Sequence, residues 1–209
     1  LMLVFSVSLQ TALGGLYAWS VFVPHLVSDF GMSAALSAFV FGLMIAVFTL
    51  ATIPAGRMLL RFGPAKTACT GAVLFSLGYL IASFARDSSI LIILGLGLCS
   101  GTGIGFAYVC PLSVCMQWFP SRKGLVSGIA VAGFGLGAVF LSTLAQYLLT
   151  RYSLVESFRF LSLFFAIVTV PSAVLLRYPV HPGQKADYQK ARDTRLMQKV
   201  RKTGSSRQA

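Results

Sequence analysis

Charge is the first thing this sequence is short of. Of 209 residues only 11% are charged, while 56% are hydrophobic. Soluble domains normally carry about 25% charge, and a water-facing surface cannot be assembled from so few polar groups. Acid is scarcer still, with 5 Asp and Glu against 17 Lys and Arg and a net charge of +12. Histidine is almost missing: His25 and His181 are the only two. The cysteines, Cys69, Cys99, Cys110 and Cys115, lie inside apolar stretches, form no C-x-x-C pair and are far in sequence from either histidine. Metal sites need clustered ligands, so these cysteines read as small buried apolar residues, and neither metal nor cofactor is expected. A basic face with interleaved aromatics, the footprint of nucleic-acid binding, is also lacking, because the aromatics sit within the apolar runs. No signal peptide is visible either. Residues 1–24 have no basic leader and no small-residue cleavage site, and the apolar run is too long. The chain opens directly in apolar sequence, as a piece with residues missing upstream would.

What is present in quantity is long apolar sequence, with a mean hydropathy of +0.82. A hydrocarbon core of roughly 30 Å takes about 20 helical residues. Six runs are long enough, at about 1–23, 33–58, 64–84, 88–116, 124–149 and 157–176. Transmembrane strands would alternate apolar and polar residues, and runs such as Ile90-Leu91-Ile92-Ile93-Leu94 do not. The expected fold class is therefore an all-α membrane protein of six transmembrane helices. The short loops between them predict that consecutive helices lie antiparallel and adjacent.

The basic residues sort by loop. Arg57, Arg61, Lys66, Arg122, Lys123 and all nine basic residues from Arg177 to Arg207 fall on one side of such a bundle. Arg86, Arg151 and Arg159, with Asp29, Asp87 and Glu156, fall on the other. The positive-inside rule then places the even loops and the tail in the cytoplasm, in a plasma or inner membrane. Residues 177–209 form a basic cytoplasmic loop or tail. That segment reads as a solvated linker, or as a partly helical stretch near 186–200 lying on anionic lipid.

Glycine is concentrated in the fourth and fifth runs. Gly97, Gly101 and Gly105 form a series at i,i+4, as do Gly124 and Gly128, with Gly133, Gly135 and Gly137 beyond. A face without side chains lets a neighbouring backbone approach, and close packing is the cohesive term where lipid already solvates apolar groups. These glycines are expected at helix contacts, whether static or sliding during transport. A phosphate cradle would have to follow a strand and open a helix in water, which Gly133-Phe-Gly-Leu-Gly137 does not.

Three segments carry a family resemblance. The loop Gly56-Arg57-Met-Leu-Leu-Arg61-Phe-Gly63-Pro64-Ala-Lys66 resembles the signature loop between the second and third helices of major facilitator superfamily transporters. Gly56, Arg61, Gly63 and Lys66 match it, while Leu60 stands at its acidic position. Next come Gly14-Gly-Leu-Tyr17-Ala-Trp19 and Gly103-Ile-Gly105-Phe-Ala-Tyr108. Last are Trp118-Phe-Pro-Ser-Arg122-Lys123-Gly124 and Gly133-Phe134-Gly135-Leu-Gly137. Together they resemble the oxalate/formate antiporter branch, close to the monocarboxylate porters, over the first six of that family's twelve helices.

The resemblance implies a secondary transporter for a small carboxylate, with alternating access between two six-helix halves. It implies gating or conformational roles for the loops of Arg57, Arg61 and Lys66 and of Arg122 and Lys123, although Leu60 removes the acid from such a gate. It implies a cavity that includes Tyr17, Tyr108 and Phe134. Gln10, near mid-span and seven residues before Tyr17, is expected either to line that cavity or to bond between helices. Trp19 is expected at the cavity or in an interfacial aromatic belt. No Lys or Arg occurs at mid-span, so the countercharge for an anion is expected from a missing C-terminal half or a second copy. The expected partners are thus the lipid bilayer, the carboxylate and that other half, with no nucleic acid.

Two other classes compete. An intramembrane protease needs a nucleophile beside an in-membrane base, and His25 and His181 both lie outside the apolar runs. A non-transporting module, such as a receptor or assembly subunit, has the same composition and is the stronger alternative.

Overall fold

The computed structural model describes residues 1–85 and 89–179. Expectations placed on Arg86, on Asp87 and on the tail beyond residue 179 lie outside the described residues. Six helices are long and apolar enough to cross a bilayer: α1 Met2–Phe30, α2 Ala34–Phe62, α3 Pro64–Ala82, α4 Ser89–Trp118, α5 Pro120–Arg151 and α6 Leu154–Leu175. The expected fold class is observed. Large apolar side chains point outward as well as inward, with Val139 68%, Leu136 66% and Ile53 61% exposed. Such a surface is stable only where hydrocarbon is the solvent.

The helix ends follow local chemistry. α1 was expected to stop before Pro24, yet it runs on to Phe30 with Pro24 inside it. A proline removes one hydrogen bond, and the turn beyond it is still closed. Gly31 takes the left-handed conformation at φ 60°, and the Met32 amide donates to the Leu26 carbonyl at 3.1 Å, which terminates the helix as glycine readily does. Between α2 and α3 the chain reverses at Gly63, φ 84°, and Pro64 opens the next helix. Both φ values suit a residue without Cβ. α2 starts on the Ser33 hydroxyl, which accepts from the Leu36 amide. α6 starts on a reciprocal cap of Ser153 and Glu156, three residues before the expected start.

Two helices are irregular inside the membrane. α1 consists of α-helical Met2–Leu13 and Trp19–Phe30 joined by a 3-10 stretch, Gly14–Ala18. α4 has a π-helical stretch, Ile93–Ser100, ahead of α-helical Gly101–Trp118.

Consecutive helices are adjacent, as the short loops predict, but adjacency does not set the size of each interface. Of the consecutive pairs, only α3 with α4 touches extensively. The other large interfaces are α1 with α5, α2 with α4 and α3 with α6. Small residues decide this, because backbones approach closest where side chains are smallest. Gly14 on α1 meets the Phe134 carbonyl of α5, and Gly137 meets the Thr11 carbonyl of α1. Gly101 on α4 faces the Met44 carbonyl of α2, where a Cβ would lie 2.8 Å away. Gly103 on α4 faces the backbone of Phe75 on α3. Hydroxyls add to the α3 contacts. Ser100 Oγ donates to the Phe75 carbonyl at 3.1 Å, and Ser162 Oγ donates to the Ser76 carbonyl at 2.8 Å. An aromatic core of Phe75, Tyr79, Phe158 and Phe165 fills the α3–α6 seam, with ring centroids 4.6 Å apart for Phe75 and Phe165.

The pairing has an internal symmetry. If α1, α2 and α3 are matched to α4, α5 and α6, the α1–α5 interface becomes the α4–α2 interface. The residues agree. Gly14 packs against the Phe134 carbonyl and Gly137, and Gly105 packs against the Phe48 carbonyl and Ala51. With six alternating spans the two triplets run in opposite directions, so they form an inverted repeat.

Candidate functional site

The site is built where that repeat meets itself. Tyr17 on α1 touches Phe134 on α5 edge-on, with ring centroids 5.5 Å apart at 80°. Tyr108 on α4 touches the same Phe134 at 5.2 Å and 73°. Tyr108 also meets Phe48 on α2 at 5.4 Å and 74°. Edge-to-face pairs place the positive rim of one ring on the negative face of the next. Four helices therefore contribute one row of rings, Tyr17–Phe134–Tyr108–Phe48, near mid-span. Among the described residues neither tyrosine hydroxyl has a hydrogen-bond partner. Tyr17 is 48% exposed, Tyr108 and Phe48 are half-buried, and Phe134 is buried between the two tyrosines.

The close approach behind this row comes from glycine. Gly14 and Gly105 each stand three residues before a tyrosine of the row. Each lies against the backbone carbonyl of the phenylalanine that its tyrosine touches. A side chain at either position would push the ring pair apart.

Gln10, expected on the face of Tyr17, is not brought to this surface. It is fully buried, and neither amide atom finds a hydrogen-bond partner, so the expected bond between helices is also not formed. A seven-residue spacing aligns side chains only in a regular α-helix. The 3-10 stretch Gly14–Ala18 intervenes, and it advances about 20° more per residue than an α-helix. Tyr17 is thereby turned outward while Gln10 stays inside.

Trp19 is also buried, at 7% exposure. It stacks on Phe41 of α2 with centroids 6.4 Å apart. Together with Tyr17, Ser20, Val23, Ala34 and Phe41 it lines a recess of about 330 Å³. The recess adjoins the aromatic row through Tyr17.

The basic residues expected in loops stand on the ends of α2, α3 and α5, at the opposite end of α1 from this recess. Arg57, Arg61, Lys66, Arg122 and Lys123 are exposed. The one acid–base side-chain contact among the described residues is elsewhere, with His25 Nδ1 3.5 Å from Asp29 Oδ2. Arg61 lies over the Phe62 ring at 5.1 Å. At the same end the Trp118 indole N–H donates to the Arg177 carbonyl at 2.7 Å, and the Ser113 and Tyr178 hydroxyls are 2.9 Å apart. These bonds hold the segment after α6 against the end of α4.

The glycines expected at helix contacts divide into two groups. Gly97, Gly101, Gly105, Gly133 and Gly137 abut another helix. Gly124, Gly128 and Gly135 face open space, as does Gly56 in the last two turns of α2. Their side of α5 turns away from this bundle, so contacts within the bundle do not account for them.

Phe48 was not singled out from the sequence. The signal that reveals it is internal: Gly14-x-x-Tyr17 is repeated as Gly105-x-x-Tyr108, and Phe134-x-x-Gly137 as Phe48-x-x-Ala51. Each phenylalanine accompanies one of the tyrosines.

Six apolar spans, an inverted repeat and a mid-span aromatic row define a class, the membrane transporters built from repeated helix triplets. The family model described as Major Facilitator Superfamily matches residues 3–206. The chain belongs to that superfamily, whose members are transporters rather than enzymes. It is 31% identical over 158 residues to the uncharacterized MFS-type transporter YhjX of Escherichia coli, covering 76% of this chain and 39% of that protein. It is 33% identical to monocarboxylate transporter 13 of Bos taurus, over 73% of this chain and 36% of that one. It is 25% identical to the oxalate:formate antiporter of Oxalobacter formigenes, over 88% of this chain and 44% of that one. The chain thus spans less than half the length of these relatives.

Proposed function

We propose that this bundle is one half of a secondary transporter that moves a small monocarboxylate by alternating access. The observation that carries this reading is the row of Tyr17, Phe134 and Tyr108, drawn from three helices to mid-span with both hydroxyls unpaired. A carboxylate is an acceptor-only group, and two phenol donors beside an apolar ring suit an acid with a short apolar remainder. A phenylalanine between the tyrosines gives the site fewer donors than a third tyrosine would, which favours a monocarboxylate over oxalate. Two of the related proteins carry monocarboxylate or formate in their names.

Tyr17 and Tyr108 donate to the carboxylate, while Phe134 and the Trp19 recess exclude water. The compensating cation comes from the second half or a second copy, because no Lys or Arg stands in the row. The exposed cations at the helix ends where α2 meets α3 and α4 meets α5 face the cytoplasm. There the anionic leaflet attracts them, and with Leu60 at the acidic position their contacts with the other half are not acid-paired from within this loop.

The test is uptake of labelled formate, pyruvate and oxalate by vesicles containing the full transporter, with Tyr17→Phe and Tyr108→Phe as variants. A hydrogen bond to a charged group contributes about 1.5–3 kcal/mol, so each loss raises KM by about 10- to 100-fold. Unchanged affinity and rate in both variants would remove the tyrosines from the site. Binding without uptake would instead favour a non-transporting module.

A further inference from the structure

The aromatic row is not symmetric, and its asymmetry carries information. The inverted repeat matches Tyr17 to Tyr108 and Phe134 to Phe48. Two contacts obey this match: Tyr17 with Phe134, and Tyr108 with Phe48, at 5.5 and 5.4 Å and nearly the same angle. The third contact breaks it. Tyr108 meets Phe134 at 5.2 Å, whereas its symmetry mate, Tyr17 with Phe48, is not formed among the described residues. Burial follows the same asymmetry. Phe134 is enclosed by two tyrosines, while Phe48 touches one and is half-buried.

The backbone is asymmetric at the same place. Tyr17 stands on the 3-10 stretch Gly14–Ala18, and its counterpart Tyr108 stands on a regular α-helix, with a π-helical stretch before it. Non-α geometry inside a span is costly and often marks a hinge or functional site. Two equivalent halves of one repeat are thus held in two different conformations.

We infer that Phe48 is a second wall of the substrate site, equivalent to Phe134, and that the two exchange roles when the transporter changes the side it faces. In the present arrangement Phe134 closes against both tyrosines. In the other, the triplets trade conformations, Tyr17 closes on Phe48, and Tyr108 separates from Phe134. The Tyr17–Phe134 and Tyr108–Phe48 pairs persist in both, so each tyrosine keeps one aromatic neighbour throughout. The substrate is then bounded by a different phenylalanine on each side of the cycle. This inference rests on the transport reading, and it adds a residue and a structural state to it.

Opposing substitutions test it. Phe134→Leu weakens the present arrangement more than the alternative, and Phe48→Leu does the reverse. Leucine keeps the apolar volume, and Phe→Met at both positions provides a second pair of variants should either leucine variant fail to fold. The readout is the labelling rate of a Ser20→Cys thiol, on the recess that includes Tyr17, by a membrane-impermeant maleimide. It is measured in the full transporter with its native cysteines replaced by serine. The expected result is a shift of about two- to tenfold in opposite directions for the two positions, the size of one aromatic pair acting on a two-state population. Shifts in the same direction, or unchanged rates at both positions, would overturn the inference. Labelling needs no substrate, so the result stays readable even if the carboxylate uptake assay fails and the transport reading falls with it.

Discussion

At the scale of single residues, the decisive quantity is how much space a glycine leaves. A methyl group at Gly14 would collide with the Phe134 carbonyl, and one at Gly137 with the Thr11 carbonyl. Both obstacles are backbone, which cannot rotate away as a side chain tip can. Overpacking of this kind typically costs about 1–3 kcal/mol. Gly128 and Gly135 meet nothing within 4 Å, and alanine is the better helix former by roughly 1 kcal/mol. Gly14→Ala and Gly137→Ala are therefore expected to lower the melting temperature of the detergent-solubilised protein and its monodisperse yield. Gly128→Ala and Gly135→Ala are expected to leave both unchanged or raise them. If the second pair also destabilises, those glycines pack against something outside this bundle. The same contrast explains what could be read beforehand. Glycine spacing marks a face that permits close approach, but it does not say which partner arrives or whether any partner within the bundle does.

At the scale of the helix, regular features were legible and irregular ones were not. Six spans show plainly in the sequence because about 20 consecutive apolar residues admit few other structures. The end of α1 was misjudged at Pro24, since a local helix breaker does not register the closing turn at Gly31. The start of α6 was missed although its signal is local: Ser153 and Glu156 have the capping-box spacing. There the Glu156 amide donates to Ser153 Oγ at 3.3 Å, and Glu156 Oε2 accepts from the Ser153 amide at 3.0 Å. Loss of such a cap costs about 1 kcal/mol. Ser153→Ala is expected to lower the melting temperature by a few degrees and leave KM unchanged, because the cap lies at the helix end rather than in the aromatic row. A thermal shift assay and an uptake curve on the same preparation check both parts. The 3-10 stretch of α1 and the π-helical stretch of α4 carry no residue pattern that announces them. Their consequence, Gln10 turned in and Tyr17 turned out, could not be read from helical spacing. Tyr17, Tyr108 and Phe134 were found through a family resemblance, and Phe48, which that resemblance did not mark, needed the internal repeat.

At the scale of the whole molecule, charge placement and the lipid-facing surface make one joint demand. The bundle exposes apolar side chains around its waist, and its cations stand where α2 gives way to α3 and where α4 gives way to α5. Arg57, Arg61, Lys66, Arg122 and Lys123 are exposed and have no acid beside them among the described residues. Five unpaired cations at one end suit an anionic leaflet, where each would contribute about 1 kcal/mol, and the positive-inside rule predicts that this end stays in the cytoplasm during insertion. The opposite end carries His25, Asp29 and Glu156 with only two described cations, Arg151 and Arg159, a weaker retention signal. A single cysteine at Lys66 or Lys123 is therefore expected to react with an impermeant maleimide only after the cytoplasmic side is opened. One at Ser28 or Tyr152 is expected to react in intact cells. Replacing Arg122 and Lys123 together by glutamine should weaken this bias without inverting it, because Arg57, Arg61 and Lys66 remain. Labelling at Lys123 from the outside of intact cells would reverse the orientation and with it the side from which each arrangement of the aromatic row opens. The row itself would stand, since its geometry is set by helix packing and not by the direction in which the bundle was inserted.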